Sequence, residues 1–241
     1  RHKIKPMEKL IYPVWKKPDQ STAEWRSALL NDFSPNALED LDIRGLRICI
    51  DDEQVAEAAH YRMEASQPVP QGIISIWLNS YLQRSTIEQA LAKYCSHFHC
   101  YQVTESEPLN NKDFEVNEGQ RSPGMSQVVF LQKPPRLNRE QWLDIWHNSH
   151  TPIAIDTQSS YGYRQNVVVR SLSYAAPHYD DIIEENFPQA AISSRAAFYS
   201  AEGNPELLTE RQNTMIESCM RFIDFDKIDC IPMSEYIMKR I

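Results

Sequence analysis

Apolar positions run through this chain in two rhythms, and the succession of rhythms occurs twice. Leu10-Ile11-Tyr12-Pro13-Val14-Trp15 reads as a short strand ended by Lys16-Lys17-Pro18. Gln127-Val128-Val129-Phe130-Leu131 reads the same way before Lys133-Pro134-Pro135. Each is followed by a capping box, Ser21 with Glu24 and Asn138 with Gln141, in which side chain and backbone satisfy each other at a helix start. Strands are predicted next, from Leu46 to Ile50 and from Tyr163 to Val169, where the branched run Val167-Val168-Val169 suits a pleated surface. Third strands are predicted from Ile73 to Leu78 and from Arg195 to Tyr199. Helices then run from about Thr86 to Ser96 and from about Pro205 to Phe222, with closing strands from Tyr101 to Val103 and from Glu235 to Met238.

The succession strand-helix-strand-strand-helix-strand is the ferredoxin-like unit. The predicted fold class is therefore α+β, with two tandem ferredoxin-like (βαββαβ) units in residues 7–105 and 124–241, packed as an intramolecular pseudo-dimer. Residues 106–123, polar and containing Pro108 and two asparagines, read as the linker. The stretch from Ser173 to Pro188 reads as an insertion in the second copy, placed where it could cover a pocket.

Setting Trp25 on Trp142, a shift of 117 positions, keeps register without a gap from Ser21 to Ile50. Asn31 meets Asn148, Pro35 meets Pro152 and Arg47 meets Arg164, but His147 and His150 fall opposite Leu30 and Phe33. Leu143, Trp146, His147, His150 and Ile153 share one helical stripe. One copy thus carries two titratable rings where the other carries core residues, and this asymmetry points the search for function at the second half.

Composition narrows the classes. A hydrophobic content of 41% and a charged content of 24% are those of a globular protein, and a net charge of −8 argues against nucleic acid. No run is long enough for a membrane span. Five scattered cysteines without a CxxC pair fit reduced thiols and a cytoplasmic location. Met7 reads as the natural start, which leaves Arg1 to Pro6 without functional weight.

A strand ending in Lys-Pro, followed by a helix carrying Trp146-x-x-x-His150-x-Pro152, resembles the EthD family, as does the tail Arg221-Phe222-Ile223-Asp224 followed by Ser234-Glu235-Tyr236. The resemblance covers about Gly124 to Lys239. It implies a dimeric α+β barrel with ligands held between sheet and helices. It also implies relatives among cofactor-free lyases, decarboxylases, cyclases and isomerases of aromatic, lactone or polyketide-like compounds. The family's motif histidine carries over onto His150.

The expected function is a cofactor-independent lyase or isomerase acting on a small aromatic or polyketide-like carboxylic acid. His150 is the general acid–base, with His147 assisting. Tyr163 or Tyr161 would stabilise an enolate or phenolate, Arg195 or Arg164 would anchor the carboxylate, and Trp146 and Tyr199 would form apolar walls. Tyr161, Tyr163 and Gln165 share one strand face, and Arg164 and Asn166 the other, so either set could line the pocket. By fold analogy, haem with a histidine axial ligand is an alternative, as is a non-catalytic ligand-binding barrel. No metal is expected, since the histidine pair has no third ligand near it and the cluster from Cys95 to Cys100 matches no metal spacing. The chain is expected as a monomeric pseudo-dimer or a homodimer.

Overall fold

Every strand edge in the ring finds a partner in the computed structural model, which describes residues 7–241; Arg1 to Pro6 lie outside the described residues. The first half supplies β1 (Glu8–Trp15), β2 (Ile43–Ile50), the short β3 (Met63–Glu64), β4 (Gly72–Leu78), the short β5 (His97–Phe98) and β6 (Tyr101–Leu109). The second supplies β7 (Met125–Leu131), β8 (Gly162–Ser171), β9 (Asp181–Phe187) and β10 (Asp229–Lys239). Pairing runs β2-β4-β1-β6-β8-β9-β7-β10 and returns from β10 to β2, so eight antiparallel strands close a barrel. The halves meet at β6–β8 and β10–β2, each joining the last long strand of one half to the second of the other.

Helices cover the outside. The first half has α1 (Thr22–Ala28), a π turn (Leu29–Phe33), α2 (Ser34–Asp40) and α3 (Arg84–Leu91). The second has α4 (Arg139–Leu143), a π turn (Asp144–His150), α5 (Thr151–Thr157), α6 (Arg195–Phe198) and α7 (Pro205–Met220). Both predicted capping boxes form. Trp25 and Trp142 are fully buried, and each indole donates 3.0 Å to a backbone carbonyl in the turn that follows a later helix, Tyr94 after α3 and Phe222 after α7. None of the described helices is long and apolar enough to cross a membrane.

The two π turns have one cause. Pro35 and Pro152 have no N–H to give and clash with the carbonyl four residues back, which a single widened turn relieves. The Ser34 and Thr151 hydroxyls then donate to the carbonyls five residues back, Leu29 at 2.7 Å and Trp146 at 2.8 Å.

Two predicted elements are corrected. Arg195 to Tyr199 is not a strand: the Ser194 side chain accepts from the Ala197 N–H as an N-cap, and the alanines that follow favour helix. The third long strand of the second half is β9, inside the stretch read as an insertion. Its sequence Asp-Ile-Ile-Glu-Glu-Asn-Phe hides a strand because its carboxylates and amide point into buried surroundings instead of solvent. Strand β6 also runs on to Leu109, into the stretch read as linker.

Candidate functional site

Strand register carries the comparison of the halves past the helices. Leu46 pairs with Ile76 in the first half, and Tyr163 pairs with Glu185 in the second. The layer between sheet and helices is apolar in the first half, where Leu10, Phe33, Leu46, Ile48 and Ile76 pack together. The equivalent positions in the second half are Gln127, His150, Tyr163, Gln165 and Glu185. Five positions that are apolar in the first half are polar or titratable in the second, and a cavity of about 300 Å³ is lined by four of these, Gln127, His150, Tyr163 and Glu185.

Gln127, Tyr163 and Glu185 form the sheet side of this cavity, and Met215, Cys219 and Phe222 the helix side. Arg195, Phe198 and Tyr199 close one flank, and His60, Tyr61 and Arg62 reach across from the first half. That crossing is anchored. The Tyr61 hydroxyl donates 2.9 Å to the Ala191 carbonyl, its ring stacks 4.7 Å from Phe198, and β3 pairs with the start of β10.

Glu185 is the group that the sequence reading missed. Burial among apolar walls pushes its carboxyl up to about 7, against the opposite pull of Ser160. Its Oε1 has no hydrogen-bond partner among the described residues. Tyr163 accepts 3.0 Å from the Trp146 indole N–H, and burial, against the opposite pull of Gln165 and Trp146, holds that phenol protonated. His150 lines the same cavity with Nδ1 2.8 Å from the Ser218 hydroxyl. Arg221 donates 2.7 Å to that hydroxyl oxygen, so the Ser218 proton is directed at Nδ1 and the ring proton falls on Nε2. Burial first, and Arg221 second, push His150 down to about 4, so the ring is neutral near pH 7. Arg195 stands exposed at the mouth, and its guanidinium makes no hydrogen bond or ion pair with the described residues.

The predicted residues divide. His150, Tyr163, Arg195 and Tyr199 meet at the cavity. Trp146 is fully buried one contact behind, orienting Tyr163. His147 does not line the cavity; its ring packs 4.5 Å from Trp146 and burial lowers its basicity. Tyr161 sits away from it, donating 2.6 Å to the Pro123 carbonyl beside Phe114. Arg164 and Asn166 point the other way, into the barrel, where Arg164 donates 3.0 Å to Glu235 and Asn166 accepts 2.7 Å from Lys9. Strand alternation therefore selects Tyr163 and Gln165 for the helix side; Gln165 donates 2.7 Å to Thr151.

For a metal, the described residues offer Cys49, Glu184 and Glu235 within 4.8 Å of one another. Glu184 takes Lys9 and Arg47, and Glu235 takes Arg164, so cations already fill that role. In the cluster from Cys95 to Cys100, His97 and His99 approach to 3.0 Å beside Trp15 and gain no third ligand among the described residues.

No protein-family model and no curated protein matches the chain. Solved structures do. An anthrone oxidase-like protein aligns with a TM-score of 0.58 at 9% identity, over 99% of this chain and 95% of its own. A putative monooxygenase from Fusobacterium nucleatum subsp. nucleatum aligns at 0.52 and 9% identity, over 98% and 94%. Another from Lactobacillus acidophilus aligns at 0.51 and 8% identity, over 98% and 99%. The fold is that of the dimeric α+β barrel proteins; the likeness is one of fold, and it reaches the barrel without singling out the EthD family.

Proposed function

We propose that the chain is a cofactor-independent enzyme of the lyase or isomerase type. It moves a proton on a small aromatic or polyketide-like carboxylic acid held in the helix-side cavity, and its two halves are duplicated ferredoxin-like units of which only the second kept chemistry. The supporting observation is Glu185: a carboxyl poised at about 7, with an unpartnered oxygen, at a position where the sister half has Ile76. A general base works best when its pKa lies near the operating pH, which favours Glu185 over the much weaker base His150. In this reading Glu185 takes the proton, and the Tyr163 hydroxyl donates to the oxyanion that develops. His150, neutral with its proton on Nε2, is a second donor. Arg195 holds the substrate carboxylate at the mouth, and Phe198 and Tyr199 flank the ring.

The neighbours named oxidase-like or monooxygenase bear on the fate of the carbanion once the proton has left, since it can lose a group or meet dioxygen. Turnover of a panel of aromatic and polyketide-like acids, with oxygen consumption followed in parallel, separates the two fates. Glu185→Gln is expected to lower kcat by about 10²-fold or more. Full activity in that variant would end the proposal, and ligand binding without any turnover would leave a binding barrel instead. Haem does not fit the site. A cavity of about 300 Å³ lies at the small end of ligand pockets, and His150 is held edge-in between Ser218 and Phe222, whose ring is 4.6 Å away. One chain completes the barrel, so we propose a monomeric pseudo-dimer, open to an outer dimer.

A further inference from the structure

Three side chains on the helix side of the second half stand in one row across the strands. Gln127 on β7 pairs with Glu185 on β9, and Glu185 pairs with Tyr163 on β8, each directly across its strand pair. The same row in the first half is Leu10, Ile76 and Leu46, paired in the same order and packed together in the core. Of the β7 and β9 residues that line the cavity, Gln127 and Glu185 alone are polar; Val129, Leu131 and Ile183 are not. Polarity on these two strands is thus confined to one cross-strand pair, and the pairing fixes the spacing within it.

The fold gives the Gln127 side chain no partner. Its amide lines the cavity and makes no hydrogen bond with the described residues. On its other flank Gln127 faces Pro232, whose ring has nothing to donate. Gln127 and Glu185 have side chains of equal length that start about 5 Å apart, as direct cross-strand neighbours do, yet they do not bond each other. A largely buried amide without a partner is costly, and Leu10 shows that an apolar residue serves for packing at this position. A ligand that brings hydrogen-bonding groups to this pair removes that cost.

We infer that Gln127 is a specificity-determining residue, which with Glu185 reads two oxygens carried on alternate carbons of the substrate ring. The inference rests on the helix-side cavity being the substrate site. Oxygens on alternate ring carbons leave the same edge of the ring at nearly the separation of two paired side chains. Oxygens on adjacent carbons lie close enough to bond each other, too close for one side chain each. Oxygens on opposite carbons point apart, and no single edge presents both. An amide donates and accepts, and a carboxyl accepts from a hydroxyl when ionised and donates to a carbonyl when protonated, so the pair takes either form of oxygen. A benzoate with hydroxyls at positions 3 and 5 meets the pair with one edge and leaves its carboxylate on the far side for Arg195, with Phe198 and Tyr199 at its flank.

The test is calorimetric titration of the full chain with 3,5-dihydroxybenzoate, 3,4-dihydroxybenzoate and 3-hydroxybenzoate. The 3,5 isomer is expected to bind with a Kd of about 1 mM or tighter, and about tenfold more tightly than either of the others. Gln127→Leu, the residue of the sister half, should shrink that preference to within about twofold, chiefly by weakening the 3,5 isomer. The comparison of isomers on the unsubstituted protein stands even where that variant fails to fold. The inference is overturned if the 3,5 isomer does not bind, if either other acid binds as tightly, or if the preference survives Gln127→Leu. Its failure is separable from that of the catalytic reading. No preference among the acids beside an inactive Glu185→Gln overturns the recognition alone. A fully active Glu185→Gln, beside a preference that Gln127→Leu abolishes, ends the proton transfer and leaves the recognition standing.

Discussion

Glu185 and His150 are displaced from their ordinary pKa values in opposite senses, and each displacement has a consequence for stability. The folded chain holds the Glu185 proton to a higher pH than the unfolded chain does. Wild type should therefore lose stability relative to Glu185→Gln as pH rises from the carboxylate range through about 7, by roughly 3 kcal/mol at most. Denaturant unfolding at about pH 4 and about pH 8 checks this; equal differences at both would contradict it. His150 is the reverse case. The native ring resists protonation down to about 4, so stability should fall as pH drops below the ordinary histidine value. His150→Phe, the residue of the sister half, should flatten that acid slope, and a slope unchanged in the variant would assign it elsewhere. His150 was legible as a candidate because Phe33 stood opposite it in a gapless alignment, and it lines the cavity. Glu185 was not, since its register with Ile76 appears only once β9 is paired with β8.

At the scale of elements, the helix that carries His150 owes its phasing to a proline. Without the π turn, residues on the two sides of it would be rotated relative to each other by about 100°. Pro152→Ala removes the clash that favours the widened turn and should lower turnover about tenfold or more by re-aiming His150. Pro35→Ala, the same change in the sister helix, should leave turnover unchanged. Comparable losses in both would mean the effect is global stability and not aim. Capping boxes, both helix–turn–strand passages and the long helix α7 could be read from local chemistry. The misplaced third strand could not, because its carboxylates are buried, Glu184 by partners from β1, β2 and β8 that lie far away in sequence. An alternating pattern reports burial only when the buried face is apolar.

For the whole molecule, closure is the governing fact. Neither half has both of its sheet edges satisfied without the other, since β6 needs β8 and β10 needs β2. Unfolding should therefore be one cooperative transition in calorimetry, with amide protons of β2, β6, β8 and β10 exchanging together. Two separable transitions along the chain would contradict this. The matching order of strands and helices in the two halves could be read from the sequence, and so could the contrast of His147 and His150 with Leu30 and Phe33. Less visible was that the first half reaches into the second half's cavity through His60, Tyr61 and Arg62, at the end of the 3-10 helix Glu53–Tyr61.

Strand β8 alternates between the helix-side cavity and the barrel interior, Tyr163 toward one and Arg164 toward the other. A single inserted or deleted residue at its start would exchange the phenol and the guanidinium across the sheet, sending a cation into an apolar pocket and an aromatic ring into an ion cluster. Length variation in this chain should thus be confined to surface connections such as residues 172–178, and the spacing from Trp146 to Tyr163 should tolerate substitution far better than any change in length.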